Sequence, residues 1–79
     1  MTRYLYSSGG SAIGYMDSRD KYLYSQDGGQ PIAYWDNQHK YMYTPNGEVY
    51  GYIASDGMYL YSQSGQAVGY FHPKYDKDK

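Results

Sequence analysis

The chain of 79 residues contains no cysteine. A disulfide scaffold is therefore excluded, and so is a zinc site built on thiolates. No apolar run approaches the length needed to cross a membrane as a helix. Excess charge is missing too. With 7 basic and 8 acidic residues the formal net charge is -1, which leaves no basic face to hold nucleic-acid phosphates. Sustained helix patterns are also absent, because Gly or Pro interrupts every helical window. There is one Trp.

Tyrosine and glycine are what the chain has in quantity, with 14 Tyr and 10 Gly. A mean hydropathy of -0.91 makes the protein look polar, but Tyr scores as polar while carrying a large ring that buries well. Tyr and Gly together favour strands and turns. The N-terminal MTRYLYSSGG enters the repeating pattern at once, so no secretion signal is expected and the expected location is the cytoplasm.

The pattern is clearest from Lys21 to Asp36, KYLYSQDGGQPIAYWD, which reads as two short strands joined by an Asp-Gly turn. It occurs four times. The first Tyr of each Tyr-x-Tyr falls at Tyr4, Tyr22, Tyr41 and Tyr59, spaced 18, 19 and 18 residues apart. The second-strand Tyr falls at Tyr15, Tyr34, Tyr52 and Tyr70. The one extra residue lies in the second copy, at the turn Asp27-Gly28-Gly29, where an insertion costs least. Residues 1–71 are thus expected to form one all-β domain of four tandem hairpins, and 72–79 a charged, flexible tail.

An isolated hairpin is barely stable, so the copies must share a core. The expected object is a shallow barrel or ring with four-fold pseudosymmetry, since closure removes the exposed sheet edges. The third copy specifies its turn best. Thr44-Pro45-Asn46-Gly47-Glu48 fits a type I turn closed by a glycine bulge. Extended without interruption, that register sets Tyr43 opposite Val49, Met42 opposite Tyr50 and Tyr41 opposite Gly51. It predicts a core face of Leu5, Ile13 and Tyr15 and their counterparts Leu23, Ile32, Tyr34, Met42, Tyr50, Tyr52, Leu60, Val68 and Tyr70. The opposite face then carries Gly14, Ala33, Gly51, Gly69, Met16, Trp35, Ile53, Phe71 and the paired tyrosines Tyr4, Tyr6, Tyr22, Tyr24, Tyr41, Tyr43, Tyr59 and Tyr61.

Those eight tyrosines and Trp35 are the expected ligand or partner site. Each Tyr taken singly has a sufficient structural role, because aromatic cross-strand pairs stabilise sheets by roughly 0.2–1 kcal/mol. Taken as rows they put aromatics on both faces of a thin sheet, and one face must stay outside, where such patches mark contact. Trp35, at the position held elsewhere by Met16, Ile53 and Phe71, is either an interface anchor or a bulky filler. A ligand site predicts that Trp fluorescence responds to a titrated ligand while mass in solution stays monomeric, and an interaction face predicts concentration-dependent mass that Trp35→Ala abolishes.

Nothing points to catalysis, a metal or a cofactor. His39 and His72 have no partner at ligand spacing. Asp17, Asp20, Asp27, Asp36 and Asp56 stand where turn chemistry explains them. The expectation is a non-catalytic module that takes a small apolar, cationic or sugar ligand on an aromatic patch or in an axial cavity. The alternative is an interaction protein whose aromatic face makes a homo-oligomer or docks on another protein.

The repeat, in the form Tyr24-Ser-Gln-Asp-Gly-Gly-Gln-Pro-Ile-Ala-Tyr34, resembles those of the four-fold β-flower proteins of bacteria, over about residues 3 to 71. That resemblance implies a shallow barrel of four hairpins about one axis and little about function, beyond the lipid or other apolar ligand binding suggested for such proteins through likeness to Tubby-type domains. It brings no functional residues with it. The hairpins are also similar to choline-binding and related cell-wall repeats, which cage quaternary ammonium groups or stack on sugars. This chain lacks their Gly-Trp pair and has one Trp in all, against one or two per repeat.

Overall fold

A computed structural model describes residues 2–76. The chain is all-β, with eight strands: β1 (Tyr4–Tyr6), β2 (Ala12–Met16), β3 (Tyr22–Ser25), β4 (Pro31–Trp35), β5 (Tyr41–Tyr43), β6 (Val49–Ile53), β7 (Tyr59–Tyr61) and β8 (Ala67–His72). Each strand pairs antiparallel with its neighbour, and β1 pairs with β8, so the sheet closes into a barrel with no open edge.

The turns explain why such short strands pair. In β5–β6, Thr44 N–H donates to Glu48 O at 2.7 Å and Gly47 N–H to Thr44 O at 2.8 Å. Gly47 has φ 91°, which is the left-handed residue of a type I turn with a glycine bulge. The same two bonds recur at Ser7, with Ser11 and Gly10, and at Ser62, with Gln66 and Gly65. The longer second copy closes instead by Ser25 N–H to Gln30 O at 2.7 Å.

Past the turn, the register departs from the uninterrupted one. Tyr43 does lie opposite Val49, but Met42 pairs with Gly51 and Tyr41 with Tyr52. Tyr50 is therefore a second bulge, one residue without a partner. The shift recurs between Leu5 and Tyr6, between Leu23 and Tyr24, and between Leu60 and Tyr61, which makes Ile13, Ile32 and Val68 the corresponding extra residues. One inserted residue reverses the facing of everything beyond it.

The expected core face is thus corrected on the second strand of each pair. Leu5, Leu23, Met42 and Leu60 are fully buried, as expected. They share the interior with Met16, Ala33, Trp35, Ile53 and Phe71, all of which were expected on the opposite face, and with Gly14, Gly51 and Gly69, which are buried as well. Tyr15, Tyr34, Tyr52 and Tyr70, expected inside, stand outside, half-buried. The bulged Ile13, Ile32, Tyr50 and Val68 are half-buried and pack against the core from its margin.

A steric reason fits this arrangement. Within each hairpin the residue opposite Leu5, Leu23, Met42 or Leu60 is Gly14, Ala33, Gly51 or Gly69, while the strand on the other side sets Phe71, Met16, Trp35 or Ile53 against them. A barrel of eight short strands has little room at its axis, so large side chains from one strand need small ones across from them.

Candidate functional site

Leu5, Leu23, Trp35, Met42, Leu60 and Phe71 occupy the interior with fully buried side chains. Trp35 is 1 % exposed, so it belongs to the core and is not part of an outer patch. Its emission reports the barrel's integrity and not a ligand at the surface.

The outer surface is where the tyrosines meet. Successive strand pairs set Tyr4 opposite Tyr15, Tyr15 opposite Tyr24, Tyr22 opposite Tyr34 and Tyr34 opposite Tyr43. The sequence continues with Tyr41 opposite Tyr52, Tyr52 opposite Tyr61, Tyr59 opposite Tyr70, and Tyr70 opposite Tyr6, which closes the circle. Ring centroids along this belt lie 5.6 Å apart for Tyr6–Tyr70, 6.0 Å for Tyr22–Tyr34 and 6.2 Å for Tyr41–Tyr52. Such spacing is that of tilted or offset aromatic contacts. The structure therefore brings the eight sequence-nominated tyrosines together with Tyr15, Tyr34, Tyr52 and Tyr70, and separates them from Trp35. The last four were missed as surface groups because the bulge was not foreseen.

One part of the belt is indented. Tyr22, Tyr34, Pro31, Pro45 and Ala33 line a cleft of about 260 Å3. Pro31 opens β4, and Pro45 sits at the corner of the next turn. In the other copies the Pro31 position holds Ala12, Val49 and Ala67, and the Pro45 position holds Ser8, Gln26 and Gln63. Only between the second and third copies do two prolines flank a tyrosine pair. Among the described residues, no charged side chain lines the cleft.

One end of the barrel carries a polar cluster built around Tyr75. The segment expected to be a tail begins inside β8 at His72, and Tyr75 lies over the barrel end; residues 77–79 lie outside the described residues. Tyr75 N–H donates to Gly57 O at 2.7 Å. Its hydroxyl accepts from Trp35 Nε1 at 2.9 Å and donates to Asp20 Oδ1 at 3.0 Å. Phe71 and Trp35 meet the Tyr75 ring edge-on, with centroids 5.2 and 5.6 Å away. Arg3 stacks on it, its Cζ 3.9 Å from the ring centroid, while pairing with the Asp20 carboxylate and donating from Nε to Pro73 O at 2.8 Å. His39 Nε2 donates to the Asp20 carbonyl at 2.9 Å.

Asp20 thus does more than shape a turn. By contrast, Asp17, Asp36 and Asp56 perform the expected turn work, each Oδ1 accepting two backbone N–H groups of its own connector. The cluster escaped sequence reading because Tyr75 lies beyond the repeat. Its one local signal was Trp35, since a buried indole N–H needs an acceptor.

Among the described residues no buried side-chain nitrogen or oxygen lacks a partner. The Tyr75 hydroxyl is pushed well above its ordinary 10.0, chiefly by burial and then by the Asp20 charge. The folded state therefore keeps a proton that the unfolded chain releases above pH 10. Stability is complete below that pH and falls above it, by up to about 1.4 kcal/mol per pH unit for one such group. Tyr75→Phe should flatten this alkaline slope in denaturant titrations from pH 9 to pH 11. At neutral pH it should cost about 1–3 kcal/mol, because Trp35 Nε1 loses its acceptor.

Fold and surface together define a class: a small closed β-barrel with large apolar side chains buried inside and tyrosines placed around its outside. Comparison of the chain with protein-family models, with curated proteins and with solved structures finds no match.

Proposed function

We propose that the protein is a non-catalytic binding module, four copies of one hairpin about a common axis in the manner of the β-flower proteins it resembles, with its ligand received on the outer tyrosine belt. The observation that carries this reading is the division of the aromatics. Trp35 and Phe71 are buried in the core, while twelve tyrosines stand on the outside, each ring in contact with at least one other. Rings kept half-exposed at every strand pair exceed what sheet pairing alone needs, and contiguous aromatic surface is the usual mark of a contact site.

Within the belt, the cleft of Tyr22, Pro31, Ala33, Tyr34 and Pro45 is the favoured seat. At about 260 Å3 it lies just under the roughly 300–1,000 Å3 of pockets that hold drug-sized ligands, and so suits a single ring. A quaternary ammonium is best held by several aromatic faces, and here two tyrosines and two prolines form the walls. A sugar fits the chemistry better: its apolar face lies on a ring or a pyrrolidine, and the tyrosine hydroxyls meet its own.

Calorimetric titration with a methyl pyranoside tests this reading. The expected affinity is weak, with Kd of about 1 mM, or about 4 kcal/mol. Tyr34→Ala should abolish it, and Tyr15→Ala, which has no flanking prolines, should not. Trp35 emission should remain constant throughout. Choline binding in place of the sugar would instead favour the cationic ligand.

A docking role has its own supporting observation, since Tyr22 and Tyr41 are 41 % and 38 % exposed on neighbouring hairpins. It requires solution mass to rise with concentration, and to stop rising when those two residues are changed.

A further inference from the structure

We propose that Tyr6 and Tyr70 are a site of oxidative modification, where the barrel's closing seam is stapled by a carbon–carbon bond between two tyrosine rings. Of the Tyr–Tyr ring contacts among the described residues, theirs is the shortest, with centroids 5.6 Å apart, and the flattest, with planes 27° apart. Both side chains are half-exposed, within reach of an oxidant yet held in place by the sheet. The two residues are direct partners on β1 and β8, so a bond between them ties the first strand to the last.

The rest of the molecule directs oxidation toward the belt. There is no cysteine to react first. The other readily oxidised groups include Trp35, Met16 and Met42, which are at most 3 % exposed. Met58 is half-buried, but its oxidation adds an oxygen and is distinguished by mass. A ring whose neighbour is held at contact couples with it far faster than with a second molecule at micromolar concentration, for the same reason that oriented groups react as though at very high concentration.

The balance is simple. Each phenol gives up one electron and its O–H proton. The two radicals join through a ring carbon ortho to each oxygen, and the hydrogens on those carbons move to the oxygens, restoring both phenols. A peroxide, acting through a peroxidase, takes the two electrons and two protons and becomes water. In a chain without cysteine, this bond would do what a disulfide does elsewhere.

The test treats the full chain with a haem peroxidase and hydrogen peroxide at low micromolar protein. The expected product is a monomer lighter by two hydrogens, with dityrosine fluorescence and one dominant cross-linked peptide pair joining Tyr6 to Tyr70. Closing so long a loop should raise the thermal midpoint by on the order of 10 °C. Tyr70→Phe, which keeps the ring, should lose that peptide pair and the gain in midpoint, and Tyr22→Phe should lose neither. Covalent dimers through Tyr22 or Tyr41, intrachain links spread evenly round the belt, or no dityrosine at all would each overturn the proposal.

Discussion

Trp35→Ala should remove most of the protein's stability and leave it close to its unfolding midpoint at room temperature. The indole is 1 % exposed, meets Phe71 with centroids 5.8 Å apart and donates its N–H to Tyr75. Truncating a buried Trp to Ala costs about 3–5 kcal/mol. A domain of this size holds a total of about 5 kcal/mol or little more. The change also takes from Tyr75 one of the bonds that hold it over the barrel end. Trp35→Phe should be much milder, since it keeps most of the volume and loses the N–H bond. Guanidinium unfolding followed by far-UV circular dichroism distinguishes the two. A surface anchor would behave differently: its removal would change the unfolding free energy by no more than about 0.5 kcal/mol and would weaken association instead.

The second large effect concerns the smallest residue in the chain. Gly69→Ala should lower the thermal midpoint more than any other change from glycine to alanine in the second strands, with Gly14→Ala close behind. A Cβ at Gly69 would overlap the carbonyl oxygen of Tyr6, and one at Gly14 that of Tyr24, which are backbone atoms of the adjoining strand. Overpacking of this kind costs typically 1–3 kcal/mol and more when backbone must move. Gly69 faces β1 across the closing seam, so the movement would open the barrel. Gly51→Ala should cost less, because its Cβ would stand 2.9 Å from both Leu60 Cγ and the Tyr61 carbonyl oxygen, and the leucine can yield. Position 33 already carries Ala, and Ala33→Gly should cost only about 0.5–1 kcal/mol. Melting curves of the four variants give the order directly. Equal and small effects at 14, 51 and 69 would mean that these residues do not face a crowded axis.

Those two results turn on a feature that the sequence nearly hides. Strand positions, turn chemistry and closure were all legible: Tyr-x-Tyr alternation marks the first strands, Thr44-Pro45-Asn46-Gly47 marks its turn, and eight short strands need a closed sheet. The register was legible as far as Tyr43 opposite Val49. Beyond it, Tyr50-Gly51-Tyr52-Ile53 and Ile13-Gly14-Tyr15-Met16 carry large side chains at both parities, so alternation cannot say which faces inward. Tyrosine adds to the ambiguity, since its ring buries well and its hydroxyl stays wet. The small residues held the information. A glycine or alanine in the same place in every copy marks close approach, and in so small a barrel close approach happens on the inside. Reading Gly14, Ala33, Gly51 and Gly69 as partners of a buried Leu or Met, instead of a covering Tyr, would have required the bulge and put Trp35 in the core.

The candidate surface was legible in part for the same reason. Tyr22, Tyr24, Tyr41 and Tyr43 belong to the first strands, whose facing the bulge does not alter. Tyr34 belongs to a second strand, and the cleft needs it. The Arg3–Asp20–Tyr75 cluster joins residues 17 and 55 positions apart in the chain, and no repeat connects them. It is built from departures from the repeat: Trp35 where others have Met, Ile or Phe, and Tyr75 where the pattern has ended.

The central claim is that the tyrosines form an outer binding surface around a core that holds Trp35. It is tested most directly by following the aromatic and indole N–H signals by nuclear magnetic resonance while a methyl pyranoside is added. The account predicts that Tyr22 and Tyr34 shift together and saturate on one curve, while the Trp35 indole and Phe71 stay where they are. Shifts at Trp35 and Phe71 with the outer tyrosines unmoved would contradict it, because the ligand would then lie on the barrel axis.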